Sequence, residues 1–197
     1  MKKLQWDKVR VLVANYCNYK CPFCHNEGQG KTTTKERMSL QSFRRLVDIL
    51  SNQPISEFNI SGGEPFLNED IVDMILYIND NLDCDISCAT NLSLIKPEHI
   101  SVLSGTRIKF NIQFPFATAE AFKRSTVTGN LDRILNSIDL LRAENIQVGL
   151  NTVLQSDDFT SILTLIDFAL ERGLPLKLLP QIGLSGSELF LNHIRPM

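Results

Sequence analysis

Short apolar runs alternate with helical patterns along this sequence, and that alternation leaves few folds open. Val9–Ala14, Glu57–Ser61, Cys84–Ala89, Ile108–Phe114, Ile146–Leu154 and Leu176–Ile182 read as strands, each short, apolar and bounded by polar or turn residues. Between them the apolar spacing becomes helical. Leu40, Phe43, Leu46, Val47 and Leu50 share one face behind Ser39, which suits a helix N-cap. Asn68 is expected to cap a helix carrying Ile71, Val72, Ile75 and Ile78, and Pro97 to open a short one. Asn130 precedes Leu131, Ile134, Leu135, Ile138 and Leu141; Asp157 or Asp158 opens a helix that runs through Glu171 and stops at Gly173. Strand–helix alternation implies parallel strands with right-handed crossovers. About six such units in 197 residues predict an α/β sheet, open or curled into a partial barrel. Functional residues then belong at the C-terminal ends of the strands.

Composition removes several classes. Lys and Arg total 20 against 22 Asp and Glu, a net charge of −2, so there is no nucleic-acid footprint. No stretch approaches ~20 uninterrupted apolar residues, which excludes a membrane-spanning helix. The first residues carry charge but no apolar segment or cleavage site. A cytoplasmic location is expected, where thiols stay reduced. The five cysteines then point to metal or catalysis before disulfides.

Three of the cysteines, Cys17, Cys21 and Cys24, stand at C-x3-C-x2-C just after the first strand. Thiolates this close can wrap one soft-metal centre. Three ligands on a four-iron cubane leave one iron open, whereas electron-transfer clusters of this type use four cysteines. Structural zinc is the alternative, with a histidine completing the tetrahedron. His25, however, adjoins Cys24, and His99 and His193 are distant in sequence. Buried cysteines without metal are the third option. After the second strand, Ser61-Gly62-Gly63-Glu64-Pro65 pairs two glycines, which permit close backbone approach, with a carboxylate.

The cysteine triplet with Phe23 before its last member, followed by Gly62-Gly63-Glu64, resembles the signature of the radical S-adenosylmethionine (SAM) superfamily. The resemblance covers nearly the whole chain and implies a partial (βα)6 barrel of the radical SAM type. It further implies a 4Fe-4S cluster on Cys17, Cys21 and Cys24, with SAM chelating the open iron. Reductive cleavage of SAM would give a 5′-deoxyadenosyl radical that abstracts hydrogen from substrate. Phe23 would pack near the adenine; Gly62, Gly63 and Glu64 would hold the SAM ammonium. Ala89-Thr90-Asn91-Leu92 resembles the family's Thr-Asn-Gly segment with leucine in place of glycine, making Thr90 a cofactor-binding candidate. By the same resemblance Asn111 would contact the SAM carboxylate, Asn151 the ribose or carboxylate, and Gln181-Ile182-Gly183 the adenine through backbone groups. The polar loop from His25 to Arg37 would cover SAM or reach substrate. Cys84 and Cys88 share a strand face and read as packing residues.

The closest pattern is the branch of the molybdopterin GTP cyclase and the peptide maturases. Arg10 precedes the first cysteine by seven residues, as a substrate-contacting arginine does in the cyclase, and Cys24-His25-Asn26-Glu27-Gly28 resembles archaeal-type cyclases. The cyclase's basic residues after Gly-Gly-Glu-Pro are replaced here by Phe66-Leu67-Asn68-Glu69-Asp70, and its second cysteine triplet is absent. GTP cyclisation is therefore the lesser reading; the substrate expected is an unassigned peptide or small molecule. A reductant such as flavodoxin or ferredoxin is the implied partner. Residues 1–197 are expected to form a radical SAM core that lacks a C-terminal extension, with Ser187–Ile194 as a closing amphipathic helix.

Overall fold

In the computed structural model, which describes residues 6–24, 34–155 and 159–180, six strands form one sheet. They are β1 (Trp6–Leu12), β2 (Ile55–Ser61), β3 (Asp85–Thr90), β4 (Ile108–Gln113), β5 (Gln147–Leu154) and β6 (Leu176–Pro180). Their spatial order is their sequence order, and every neighbouring pair is parallel. The connections carry helices α1 (Leu40–Leu50), α2 (Ile71–Asn81), α3 (Pro97–Leu103), α4 (Ala119–Thr126), α5 (Leu131–Ala143) and α6 (Phe159–Glu171). The sheet curls into the expected half-barrel.

The strand pattern is two-faced. Phe58, Ile60, Ile86, Cys88, Phe110 and Ile112 are buried in the core, with Phe43, Val47, Met74, Ile75 and Ile78 from the helices. Their neighbours on alternate positions point the other way and are mostly polar: Lys8, Arg10, Asn59, Ser61, Asn111, Gln113, Asn151 and Lys177 line the hollow of the half-barrel. Period-two alternation separates a dry layer from a wet one. Burying the dry face stabilises the fold, at roughly 25 cal/mol per Å² of apolar surface.

The caps bear out most sequence expectations. The Ser39 hydroxyl accepts from Ser42 N at 3.2 Å, and Asn130 Oδ1 accepts from Arg133 N at 3.0 Å. Pro97 is the first residue of α3, and Gly173, at φ +60°, follows the end of α6. Cys84 and Cys88 are both buried, as packing residues should be.

Two expectations change. Asn68 does not cap α2, whose first turn follows Asp70. Its amide instead donates to Val13 O at 3.0 Å and Met38 O at 2.9 Å, tying the end of β1 to the segment entering α1. And α4 was not foreseen, because only Phe122, Ser125 and Thr126 of it are buried, too few apolar residues to make a stripe. Asp157, Asp158, the end of the last predicted strand at Ile182 and the helix expected over Ser187–Ile194 lie outside the described residues.

Candidate active site

The hollow of the half-barrel is a cleft of about 450 Å³, within the range of small-molecule sites. Cys17, Cys21 and Cys24 all border it, together with Phe23, Gly62, Gly63, Thr90, Asn111 and Asn151. The structure thus brings together every described candidate but one. That one is Glu64, fully buried and outside the cleft lining. Ile182 lies outside the described residues, as do positions 25–33 of the loop expected to cover SAM.

The cysteine loop is fastened to its neighbours mainly through its backbone groups. Gly63 N donates to Ala14 O at 2.8 Å and Glu64 N to Tyr16 O at 3.0 Å, fastening it to the end of β2. Lys20 N donates to Thr126 O at 3.2 Å, and Thr128 Oγ1 to Asn18 O at 2.9 Å, fastening it to the exit of α4. Beyond the loop, Met38 N donates to Val13 O at 3.0 Å, which brings the chain back alongside β1. Gly62 makes the approach of two strand ends possible. It sits at φ +151°, and a Cβ there would stand 2.5 Å from Ala14 O, closer than side chains tolerate.

The donor set suits a soft, positively charged centre. None of the five cysteines forms a disulfide among the described residues. Burial, aided by the neighbouring Cys17 and Cys24, pushes the Cys21 thiol up to about 12, and burial also raises Cys17. Thiols at Cys17 and Cys21 that resist ionisation are what a bound metal centre reverses, since its charge deprotonates its ligands. No three Cys, His, Asp or Glu side chains among the described residues converge on a single-ion site. A cubane, which takes each thiolate on a different iron, does not require them to. The residues present fit a cluster.

Glu64 has a different place from the one its motif suggested. Its Oε1 accepts from Phe66 N at 3.0 Å and Thr90 Oγ1 at 2.7 Å, and its Oε2 accepts from Asn91 N at 2.7 Å. Burial holds its carboxyl above the usual range, against the pull of those three donors. The carboxylate is a strut between the ends of β2 and β3. What the motif offers to the cleft is Gly62 and Gly63.

Sequence reasoning singled out Arg10 but missed the two lysines that share the hollow with it, Lys8 and Lys177. Lys8, Arg10 and Lys177 border the hollow, and none of its described lining residues is acidic. Arg10 donates to Ser61 Oγ at 2.8 Å, and Lys8 pairs with the partly exposed Glu57 at 2.8 Å. The signal was available: in β1 and β6 these cations hold the alternate positions opposite the buried Val11 and the packed Leu176 and Leu178.

Residues 11–169 match the family profile described as Radical SAM superfamily. The GTP 3',8-cyclase of Clostridium perfringens (strain 13 / Type A) is 28% identical over 93% of this chain and 58% of its own length. A probable GTP 3',8-cyclase of Thermococcus kodakarensis is 30% identical over 87% of this chain and 55% of its own. The chain therefore spans about half the length of the curated relatives it matches. Among solved structures, Streptococcus suis SuiB bound to S-adenosylmethionine superposes with a TM-score of 0.81 at 18% identity, covering 94% of this chain and 43% of SuiB.

Proposed function

The chain belongs to the radical SAM superfamily, and from that membership we propose that its half-barrel takes a hydrogen atom from a substrate carrying an anionic group. It is an enzyme whose cofactors are a 4Fe-4S cluster and SAM. The zinc-stabilised binding module considered from the cysteines alone is thereby set aside. When bound, the cofactors would supply an electron and the 5′-deoxyadenosyl radical.

The chain's own residues do the rest. Cys17, Cys21 and Cys24 would hold three irons. Gly62 and Gly63 would let backbone carbonyls reach the SAM ammonium, and Phe23 would wall the adenine. Thr90, Asn111 and Asn151 would orient the remaining polar groups of SAM, and backbone groups of Gln181-Ile182-Gly183 would serve its adenine, as the family resemblance implies. One observation carries this reading: three cysteines and a paired-glycine turn, from the ends of different strands, open on one cleft. A low-potential reductant of the flavodoxin or ferredoxin kind, in the cytoplasm, would complete the system. Among the described residues no helix is long and apolar enough to cross a membrane.

The test is anaerobic reconstitution followed by reduction in the presence of SAM. The protein is expected to form 5′-deoxyadenosine, above the level of the same protein without iron. No difference between the two would defeat the reading.

A nucleoside triphosphate, as in the GTP cyclases, is a second and more specific reading, favoured by Arg10 and Lys177 in a cleft whose described lining residues include no acid. The missing basic residues after Pro65 weigh against it. Lys177→Gln would remove one charge-assisted contact, worth about 1.5–3 kcal/mol. With GTP as the trial substrate, KM is expected to rise roughly 10- to 100-fold with kcat changed far less. GTP that neither binds nor is consumed by the reconstituted protein would end this reading and leave other anionic substrates.

A further inference from the structure

The turn after β3 points an amide at a cluster ligand. Asn91 Nδ2 donates to Asn18 Oδ1 at 2.9 Å and to Cys17 Sγ at 3.6 Å. Tyr19 N donates to the same sulfur at 3.3 Å. Sulfur accepts hydrogen bonds at longer range than oxygen, so both are contacts of the ligand atom itself.

The amide has little freedom to turn away. Asn91 Oδ1 accepts from Ser93 N at 3.0 Å and from Ser93 Oγ at 2.7 Å. With both donors on the oxygen, the nitrogen must be the atom facing Cys17, which settles the orientation that amide symmetry otherwise leaves open. Asn18 Nδ2 donates to Ser93 Oγ at 2.8 Å and closes a ring of three side chains, each donating a hydrogen bond to the next in the same sense. The backbone N–H of Asn91 is held by Glu64, and Leu92, fully buried at φ +62°, makes the bend that returns Ser93 to Asn91. Asn91 is itself buried, at 6% exposure. A rigid, dehydrated N–H beside a ligand sulfur is more than a packing contact.

We propose that Asn91 is a positioning and tuning residue of the cluster, raising its reduction potential through the N–H bond to Cys17. The proposal rests on the cluster reading above. Reduction adds negative charge that spreads onto the ligand sulfurs. A donor there stabilises the reduced form more than the oxidised one, so the potential moves up. Easier reduction means that a milder reductant can prime the site.

The experiment is an anaerobic redox titration of the reconstituted protein, followed by the EPR signal of the reduced cluster. Iron content and the thermal transition are measured in parallel. Asn91→Leu is close in size and has no amide; its potential is expected to fall while iron content stays at the wild-type level. Asn91→Asp keeps an oxygen for Ser93 but replaces the donor by an acceptor, so its potential should fall further. Ser93→Ala leaves the amide in place and loosens it; a smaller downward shift is expected. A purely structural Asn91 would alter the thermal transition and not the potential. Fully loaded Asn91→Leu or Asn91→Asp at the wild-type potential would overturn the proposal, and the aspartate alone decides if the leucine variant does not fold. Iron binding unaffected by Cys17→Ala would overturn the cluster reading instead, and this proposal with it.

Discussion

Alanine at Cys17, Cys21 or Cys24, one at a time, should abolish the iron–sulfur centre and leave a folded protein. Reconstituted wild-type protein is expected to hold about four irons and four sulfides per chain, each variant a small fraction of that, with no 5′-deoxyadenosine formed. Three thiolates are the fewest that can hold a cubane with one open iron. Removing one exposes a second iron to water and to loss. The fold should survive because the loop hangs on main-chain bonds, from Gly63 N to Ala14 O and from Lys20 N to Thr126 O, which the substitutions do not touch. Cys17 and Cys24 are only partly buried, so losing a sulfur there leaves no large cavity. Metal-free wild-type and variant proteins should therefore unfold at closely similar temperatures. A full iron complement in the triple alanine variant would refute the assignment.

The layout of this site was readable to different depths. Strands were legible because their outward faces are continuous apolar series, such as Phe58 with Ile60 and Phe110 with Ile112, and because Ser39, Asn130, Pro97 and Gly173 mark helix ends by local chemistry. The inward face was harder. Asn111 and Asn151 were reached through the family resemblance. Lys8 and Lys177 were not, since a lysine near a strand start reads as solvated until the sheet curls and encloses it. Helix α4 carries almost no apolar stripe, and its worth lies in its exit, where Thr126 and Thr128 fasten the cysteine loop. Side-chain partners were beyond reach altogether. Asn68 has the chemistry of a cap, yet its amide ties β1 to the approach to α1, a choice made by residues 55 and 30 positions away. Leu92 reads as a departure from the family's glycine. In the structure it takes a glycine-like backbone conformation and is fully buried.

Glu64 is where motif and geometry diverge most, and the divergence has a large measurable consequence. If its carboxylate served only the SAM ammonium, Glu64→Ala would weaken SAM binding and leave the cofactor-free protein as stable as before. The structure gives the opposite expectation. The carboxylate is fully buried and is the acceptor for Phe66 N, Thr90 Oγ1 and Asn91 N. Alanine strands those donors where little water reaches them, and each unsatisfied buried group costs about 1–3 kcal/mol. Partial refilling by water lowers the sum, leaving a loss of roughly 3–6 kcal/mol, a large fraction of the ~5–15 kcal/mol that holds a domain together. At ~2–4 °C per kcal/mol for a chain of this size, the transition should fall by about 6–24 °C. Glutamine is no remedy. It keeps one acceptor oxygen, but its NH2 must face either Asn91 N–H or the pair Phe66 N–H and Thr90 Oγ1–H, and an N–H against an N–H repels. Glu64→Gln should therefore also destabilise, by less than alanine. The same bonds hold the turn that aims Asn91 at Cys17, so cluster loading should drop in both variants. The decisive measurement is the thermal transition of the protein free of cluster and SAM. An unchanged transition in Glu64→Ala would mean that the carboxylate acts on the ligand and not as the strut between β2 and β3.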